Sequence, residues 1–312
     1  MRYFVTGGAG FIGSNYVGYL LDNIDDLTGV TIYDKFTYAA NPRNYQEFIR
    51  DPRLKVVKGD VCDSNLLEKS LAGHDFVVHF AAESHVDRSI DDASVFVQTN
   101  ILGTYNVLEA SKKLGIKRLI HISTDEVYGS ITNGSADENH ILQPNSPYAA
   151  SKASSDLLAR SYFVTHGLNL CITRSCNNYG RNQFPEKIIP SFIHKLASGK
   201  KLPIYGDGKN EREWIHVSDH VRGIQLILNQ GNPGEIYNIG SGVRLTNNEL
   251  TAKIIEVMEL KSHMKSFVTD RKGHDLRYAL DSRKIEELGF SQRIDFEYGL
   301  KETIDWYQNN SF

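Results

Sequence analysis

Three side chains that can bind or move protons stand side by side in the stretch HISTDEVYGS, residues 121–130: Thr124, Asp125 and Glu126. They come where an apolar predicted strand ends. Neighbouring carboxylates on a solvated turn would need no explanation beyond solubility. In a cleft, burial and mutual repulsion would raise the pKa of one, leaving an acid beside a base on one substrate. On a regular strand Asp125 and Glu126 would point to opposite faces, so we expect them where the strand opens into a loop.

A glycine turn joins the first predicted strand to the first predicted helix. VTGGAGFIGS places Gly7, Gly10 and Gly13 three positions apart. Glycines there let the backbone approach a pyrophosphate, and the helix N-terminus then faces that anion. Asp34 in TIYDK follows Gly13 by 21 positions, close to the spacing of a ribose-binding acid. An ordinary turn with an unrelated surface aspartate is the alternative.

The charges around that predicted ribose site indicate which dinucleotide it would take. Asp34 would repel a 2′-phosphate, which favours NAD over NADP. Lys35 follows it directly, so the preference is not absolute. Asp60 ends the third predicted strand, from which it could reach the adenine edge.

A tyrosine and a lysine share one face of the helix predicted in NSPYAASKASSDLLARSYFVTHG. Ser146 suits the N-cap, Pro147 the first position and Gly167 the C-terminal end. Tyr148 and Lys152 are four positions apart, hence on one face. A free tyrosine has a pKa of about 10, but a nearby ammonium and a positive nicotinamide would favour the phenolate, which can take a proton from a sugar hydroxyl. An incidental pair on an amphipathic helix is the alternative.

The elements that must position these residues alternate between strand and helix. RYFVTG, GVTIYD, LKVVKGD, DFVVHFAA, KRLIHIST and LNLCITRS are short apolar runs separated by helical stretches, which indicates parallel β-α-β units covered on both faces. We therefore expect an α/β fold: a Rossmann-type doubly wound parallel sheet with a smaller, discontinuous α/β substrate-binding lobe. After about Cys176, NNYGRNQFPEK and LPIYGDGKNEREW are predicted as loops. GEIYNIGSG is predicted as a strand that returns to the sheet, and Thr246 with Glu249 as a capping box.

The predicted domain organisation follows from this pattern. Residues 1–175 plus about 213–242 are predicted to form the NAD-binding domain. Residues about 176–212 plus 243–312 are predicted to form the sugar-nucleotide-binding lobe, and a cleft between the two is the natural ligand site.

Composition narrows the class of protein. The 312 residues are 40% apolar and 23% charged with a net charge of −3, which is ordinary for a soluble globular protein and gives no nucleic-acid footprint. We expect no signal peptide and no membrane span. Cys62, Cys171 and Cys176 show no CxxC or metal-ligand spacing, so we expect reduced thiols, a cytoplasmic location and no metal.

The motifs together resemble a known superfamily. TGGAGFIG, HISTDEVYG and YAASK resemble the extended short-chain dehydrogenases/reductases of the NAD-dependent epimerase/dehydratase family, which act on nucleotide sugars. DKFTYAAN, AAESHVDRSI, NNYG with QFPEKIIP, LPIYGDGKNEREWIHV and GHDLRYALD are similar, more narrowly, to the dTDP-glucose 4,6-dehydratase family. The resemblance runs from about Arg2 to the last helix, and Thr-Asp-Glu is its most specific piece.

The resemblance implies a lyase of deoxysugar biosynthesis. Such an enzyme oxidises dTDP-glucose at C4, eliminates water across C5 and C6, and returns the hydride to C6, giving dTDP-4-keto-6-deoxyglucose without net use of NAD. It also implies roles for five residues. Thr124 would bind the 4-hydroxyl, Asp125 would be the general acid and Glu126 the base. Tyr148 and Lys152 would form the redox pair.

The resemblance also implies two sets of ligand contacts. Cofactor contacts besides the three glycines, Tyr148 and Lys152 would be Phe11, Ile12, Asp34, Lys35, Asp60, Val61, Ala81, Ala82, Thr99 and Asn178. Substrate contacts besides Thr124 would be Ser84, Asn177, Lys187, Pro203, Tyr205, Arg212, Asn247 and His274.

Several of these assignments have simpler alternatives. Ser84 is a better candidate than His85 for the rim of the active site, although both suit a helix N-cap. Arg212, in a predicted Gly- and Asn-rich loop, suits a diphosphate clamp but could be a surface arginine. His79 is expected to be a core histidine.

The sequence departs from the family pattern at three positions. Arg181 stands where the family usually has proline after NNYG, and Lys272 and Leu276 alter the usual RPGHDRRY. We expect these changes on the nucleotide side of the site, where they would leave the chemistry intact and weaken the case for thymidine over uridine.

Two other functions remain open from the sequence. A dehydratase or 4-epimerase acting on a UDP-hexose would share most motifs, but simple epimerisation needs no acid such as Asp125 for a leaving hydroxyl. An NAD-binding regulator would not need Thr124, Tyr148 and Lys152.

A homodimer is expected as well. The helix 147–166 and the one around 95–114 carry apolar residues beyond one stripe, including Leu157, Leu158 and Phe163. The resemblance implies a four-helix interface between two copies.

Overall fold

The apolar runs of the first half form one parallel sheet in the computed structural model of the chain, which describes residues 1–260, 264–270 and 273–310. Its seven strands lie in the order β10-β6-β5-β4-β1-β2-β3, and every neighbouring pair is parallel. The strands are β1 Arg2–Thr6, β2 Gly29–Asp34, β3 Leu54–Lys58, β4 Phe76–His79, β5 Arg118–Thr124, β6 Leu170–Ser175 and β10 Ile236–Ile239. The order reverses between β1 and β4, as expected for a Rossmann-type sheet, and ligands bind at such switch points.

Helices cover both faces of this sheet. The helices of the described residues are α1 Phe11–Asn23, α2 Ser64–Leu71, α3 Val86–Asp91, α4 Ser94–Phe96, α5 Gly103–Leu114, α6 Pro147–His166, α7 Ile188–Ala197, α8 Val217–Gln230, α9 Asn247–Val257, α10 Arg283–Glu286 and α11 Phe296–Asn309. Of these, α7, α9 and α11 pack in a separate apolar cluster rather than on this sheet. α1 contacts α8 on one face, and α5 contacts α2 and α6 on the other. Two clusters of buried apolar residues fill the space between sheet and helices, so the predicted fold class is confirmed.

The helix boundaries follow the predicted capping residues. The Ser146 hydroxyl accepts a hydrogen bond from the Ala149 N–H at 3.1 Å and starts α6, and Gly167 ends it with φ 66°. Thr246 and Glu249 form the predicted capping box of α9. The strand predicted in GEIYNIGSG is β10, which pairs with β6.

In the part of the chain that the structure describes, five short strands lie outside the main sheet. They are β7 Asn177–Tyr179, β8 Leu202–Tyr205, β9 Glu211–His216, β11 Arg244–Thr246 and β12 Lys265–Val268. β9 lies between β7 and β11, and β8 pairs with β12. A third apolar cluster, which includes residues of α7, α9 and α11, packs beside them.

The prediction of loops in NNYGRNQFPEK and LPIYGDGKNEREW is therefore wrong in part, because these segments contain β7, β8 and most of β9. Leu202, Ile204 and Trp214 are buried, so tertiary packing outweighs the turn-forming composition. The turn is confined to the stretch around Gly206 and Gly208, both of which have a positive φ.

A π-helical segment, Val97–Leu102, links α4 to α5 in one helical stretch. Its Asn100 amide accepts from the Glu83 N–H at 2.8 Å and donates to the Ser151 hydroxyl at 2.8 Å. This ties the end of β4 to the start of α6 beside the cleft, and π segments often occur at functional sites. Among the described residues, no helix is both long enough and apolar enough to cross a bilayer.

Candidate active site

The glycine turn brings backbone close to backbone at the carboxyl end of β1. A Cβ on Gly7, whose φ is +66°, would lie 2.7 Å from the Ala81 nitrogen, and one on Gly13 would lie 2.3 Å from the Gly7 oxygen. Side chains are therefore excluded at both positions. α1 starts at Phe11 with no side-chain cap, so the N–H groups of its first turn are available to an anion.

Every residue predicted to contact the cofactor lines one cavity of about 310 Å³ above this turn. At one end, Asp34 closes β2 with both carboxylate oxygens held by backbone: Oδ2 accepts from the Ala9 N–H at 3.0 Å and Oδ1 from the Phe36 N–H at 2.8 Å. The glycine cradle, the open helix N-terminus and the fixed Asp34 carboxylate fit a dinucleotide with its pyrophosphate on α1 and a ribose at Asp34.

Asp125 and Glu126 lie where β5 gives way to a short 3₁₀ turn, Asp125–Tyr128, and both line this cavity. On a strand these two side chains would point to opposite faces. The turn directs both of them to the same cavity, as the sequence predicts. Thr124 caps it: its hydroxyl accepts from the Glu126 N–H at 3.3 Å and donates to Asp125 Oδ1 at 3.2 Å.

Asp125 is held in an environment that favours its neutral form. The side chain is 3% exposed. Burial raises its pKa well above the usual value, and the nearby carboxylates of Glu126 and Glu213 raise it further; Arg212 acts in the opposite direction. A raised pKa favours the protonated carboxyl, which can donate a proton.

Tyr148 and Lys152 lie on the first turns of α6 and line the same cavity. The Lys152 ammonium donates to the Ile122 carbonyl at 2.6 Å, and burial lowers its pKa to about 8. The pKa of Tyr148 is raised by burial and by the Glu126 carboxylate, against a hydrogen bond with Thr124. The expectation that Lys152 and a positive nicotinamide together favour the phenolate stays a prediction.

A group of buried charged and polar side chains lies near Lys152. Asp156, one helical turn further along α6, accepts from Arg174 Nε at 2.9 Å and lies 3.3 Å from His121 Nε2. Its carboxylate acts against burial and raises the pKa of Lys152. The four-residue spacing from Lys152 is a signal that sequence analysis could have used.

A second cavity, of about 250 Å³, adjoins the first. Four residues line both cavities: Glu126, Asn177, Glu186 and Lys187. The predicted substrate residues Asn177, Lys187, Pro203, Tyr205, Arg212, Asn247 and His274 line the second cavity, whereas Ser84 and Thr124 line the first. Glu126 thus lies at the junction of the two spaces, and Asp125 beside it lines the first cavity.

Arg212 is neither on a loop nor at the surface. It lies in β9 and is 5% exposed. Its guanidinium donates to the carbonyl of Asp275 at 2.8 Å and lies 4.2 Å from the centre of the Tyr278 ring. The contacts fix the guanidinium in the cavity wall without an acidic partner among the described residues, which suits a phosphate group.

Ser84 lines the first cavity and His85 the second, so both lie at the site and the preference for Ser84 stays a prediction. His85 caps α3, accepting at Nδ1 from the Arg88 N–H at 3.3 Å. The Ser84 carbonyl accepts from the Lys187 ammonium at 2.7 Å at the rim of the first cavity. His79 is a core histidine, 2% exposed and hydrogen-bonded to the hydroxyls of Thr6 and Thr104.

The departures from the family pattern do not reach either cavity wall where the structure describes them. Arg181 turns towards the NAD-binding half, with Nε 3.2 Å from Asn15 Oδ1 and a guanidinium nitrogen 3.5 Å from Glu47. Leu276 is 64% exposed. The expectation of a place on the nucleotide side is wrong for the Arg181 side chain. The Leu276 carbonyl accepts from Arg212 at 3.4 Å beside the second cavity, and Lys272 lies outside the described residues.

Sequence analysis missed a cluster that joins the loops on either side of the cleft. The Arg88 guanidinium lies 3.6 Å from the centre of the Tyr38 ring and 3.5 Å from the Glu186 carboxylate. Phe184 packs edge-on against Tyr38, with ring centres 5.6 Å apart. Tyr38 follows β2 and Phe184 follows β7, and no local period connects them, so only the fold brings them together.

The switch-point cleft, the glycine cradle and the Thr-Tyr-Lys group define a nucleotide-sugar enzyme of the short-chain dehydrogenase/reductase type. The chain matches a sequence model of the family described as GDP-mannose 4,6 dehydratase over residues 4–303, and it belongs to that family.

Among curated relatives, the dTDP-glucose 4,6-dehydratase of Actinoplanes sp. is 52% identical over 99% of this chain and 98% of its own length. Among solved structures, DesIV, a dTDP-glucose 4,6-dehydratase from Streptomyces venezuelae with NAD and TYD bound, has a TM-score of 0.98 and 53% identity, covering 99% of this chain and 98% of the other. A UDP-glucose 4-epimerase from Thermotoga maritima has a TM-score of 0.91 at 29% identity, covering 99% of each chain.

Proposed function

We propose that the chain is a hydro-lyase that converts dTDP-glucose to dTDP-4-keto-6-deoxyglucose with bound NAD. The observation that carries the proposal is the buried Asp125 beside Glu126, at the junction of a dinucleotide-shaped cavity and a second cavity. Relatives named as dTDP-glucose 4,6-dehydratases at 50–52% identity support this activity over 4-epimerisation.

The first step needs a group that takes a proton from the 4-hydroxyl. Bound NAD would supply the hydride acceptor at C4 and the hydride donor at C6, so that none is consumed overall. Thr124 holds the 4-hydroxyl and Tyr148 accepts its proton. Lys152, fixed on the Ile122 carbonyl, supplies positive charge against the burial that raises the pKa of Tyr148. A positive nicotinamide would act in the same direction.

The elimination needs an acid and a base on one sugar. A 4-ketone acidifies the C5 proton, which Glu126 removes. Asp125, kept protonated by burial and by Glu126, gives its proton to the C6 hydroxyl, which leaves as water. Because the two carboxyls are consecutive residues on one 3₁₀ turn, the ionisation of one keeps the other neutral.

The second cavity would hold the nucleoside diphosphate. Arg212 offers a buried guanidinium to the diphosphate. Pro203, Tyr205, Asn247 and His274 complete the wall on the nucleoside side, and Asn177 and Lys187 bridge to the sugar.

The two-part organisation remains a proposal that the sheet arrangement supports. The large sheet and its helices would form the NAD-binding domain, with the five short strands, α7, α9 and α11 as the lobe. The chain passes from β9 to α8 at residues 216–217, close to the predicted boundary at 213.

We also propose a homodimer in the cytoplasm. Exposed apolar side chains cluster on the 94–114 stretch and α6: Val97 is 51% exposed, Leu102 48%, Leu157 59% and Val164 63%. Such a patch on two contacting helices favours a helix-to-helix interface. Leu158 and Phe163, also predicted there, pack on the core instead. A light-scattering mass near the 35.2 kDa of one chain would contradict the dimer.

The activity is tested by mixing the purified protein with dTDP-glucose and no added NAD, and measuring the 4-keto sugar by its absorbance in alkali. UDP-glucose and Tyr148→Phe serve as the substrate and enzyme controls. We expect product from dTDP-glucose with wild type alone. A 4-epimer without loss of water would contradict the proposal.

A further inference from the structure

An ion pair stands at the ribose end of the first cavity. Lys35 Nζ lies 2.7 Å from Asp60 Oδ2, with the two side chains 56% and 28% exposed. The other oxygen, Asp60 Oδ1, accepts from the Cys62 N–H at 2.9 Å. Asp60 is thus anchored to its own backbone turn and holds the lysine.

Lys35 is the cation that a 2′-phosphate would need. Among the described residues, the wall of this cavity contains three basic side chains: Lys35, Lys152 and Lys187. Lys152 is bound to the Ile122 carbonyl beside Tyr148, and Lys187 to the Ser84 carbonyl at the junction with the second cavity. Only Lys35 is next to the ribose-side acid Asp34, which it follows in the chain.

We propose that Asp60 determines cofactor specificity by holding Lys35 in this ion pair, so that a 2′-phosphate meets no available cation. The inference rests on the proposed use of NAD and extends it from Asp34 to a second acid. With Lys35 paired, the ribose end carries the charges of Asp34, Asp60 and Lys35, a net −1, which repels a phosphate dianion.

The substitution that isolates this effect is Asp60→Asn. An asparagine keeps an oxygen for the Cys62 N–H and removes the charge that holds Lys35. The local net charge becomes zero and the ammonium is free to donate to a phosphate. The double variant Asp60→Asn/Lys35→Met tests the same pair from the other side, because it removes the released ammonium and restores the wild-type net charge of −1 at the ribose end.

The measurement is the ratio of the Kd for NADP⁺ to the Kd for NAD⁺, obtained by competition between the two nucleotides on the purified full chain. Asp63→Asn is the matched control: it removes one negative charge nearby, from the cap of α2 that accepts the Leu66 N–H, outside the cavity wall.

We expect Asp60→Asn to lower the ratio by about tenfold or more, as one added charged hydrogen bond would, and Asp63→Asn to leave it within about twofold. The gain should vanish in Asp60→Asn/Lys35→Met. An unchanged ratio in Asp60→Asn, or a gain that persists in the double variant, would overturn the inference. If the wild type shows no binding of NAD⁺, the proposed function itself is contradicted.

Discussion

Two buried aspartates at opposite ends of the cavity are held in opposite ways. Asp34 is 8% exposed and Asp125 is 3% exposed, and burial raises the pKa of each. Backbone N–H groups bind both oxygens of Asp34 and offset part of that rise, although its pKa stays raised. Asp125 has only the Thr124 hydroxyl on Oδ1, while Oδ2 has no partner among the described residues. The difference shows that the N–H groups around a buried carboxyl decide whether it serves as an anion or as an acid.

The largest effect is expected at the proton acceptor between these two aspartates. Tyr148→Phe keeps the ring and removes the hydroxyl, so reduction of NAD by the substrate should fall by roughly 10²- to 10⁴-fold, the usual range for general base catalysis. Absorbance at the nicotinamide band measures it. Tyr162→Phe, on the same helix but outside both cavities, is the control and should keep the wild-type rate.

Asp34→Ala should weaken NAD binding by roughly ten- to a hundredfold, because it removes the ribose acceptor and leaves the Ala9 and Phe36 N–H groups unpaired. Fluorescence titration of the protein with NAD measures the change. Asp34→Asn keeps one acceptor and should lose less. Equal losses in the two variants would contradict the view that the two N–H bonds define this end of the site.

Glu213→Gln should change the pH dependence at the other end. Glu213 is fully buried, and its charge helps to raise the pKa of Asp125. Because the acid works only when protonated, activity falls as pH rises through its pKa. Removing the Glu213 charge lowers that pKa, so the alkaline limb of the kcat profile should move to lower pH. If the alkaline limb does not move, burial and the Glu126 carboxylate account for the raised pKa of Asp125 without Glu213.

The smallest effect is expected at His220, a buried group that lies in neither cavity wall among the described residues. Both ring nitrogens lack a partner in the described chain, and burial lowers its pKa to about 3. The unfolded chain takes up a proton below its pKa near 6.5, so the free energy of unfolding falls as pH falls.

Between pH 6.5 and 5 this histidine should account for a loss of about 2 kcal/mol. His220→Leu should remove that part of the acid dependence in urea unfolding, whereas replacing the exposed His140 should not. If the two variants lose stability equally on acidification, burial does not perturb His220. At His220, burial alone shifts the pKa. At Asp125, burial acts together with neighbouring carboxylates, and the two effects favour a proton donor.

The same comparison explains what the sequence could predict. The glycine turn, Asp34 and the Tyr148–Lys152 pair are local patterns with fixed spacing, and all three lie where expected. A departure from strand geometry at Asp125 can also be predicted, because adjacent side chains on a regular strand point to opposite faces. Such local patterns indicate where strands, turns and helix ends lie, so the sheet and the helix caps can be predicted from the sequence.

Other features depend on contacts between distant segments. The residues around Arg212 favour turns and predict a loop, but pairing of β9 with β7 and β11 places Arg212 in a strand. The position of Arg181 beside NNYG predicts a place on the nucleotide side, but its side chain contacts Asn15. Glu213, which raises the pKa of Asp125, has no sequence signal that links it to the 3₁₀ turn.

The central claim is that Asp125 is the acid of the elimination, and Asp125→Asn tests it most directly. The variant keeps the size of the side chain and removes its proton, while Thr124, Tyr148 and Lys152 remain. Given dTDP-glucose in a stopped-flow instrument, it should reduce NAD and then accumulate both reduced cofactor and a 4-keto hexose, since loss of the C6 hydroxyl slows by roughly 10²- to 10⁴-fold. Wild type should accumulate little of either. Dehydration at the wild-type rate, or no reduction of NAD although the substrate binds, would contradict the assignment.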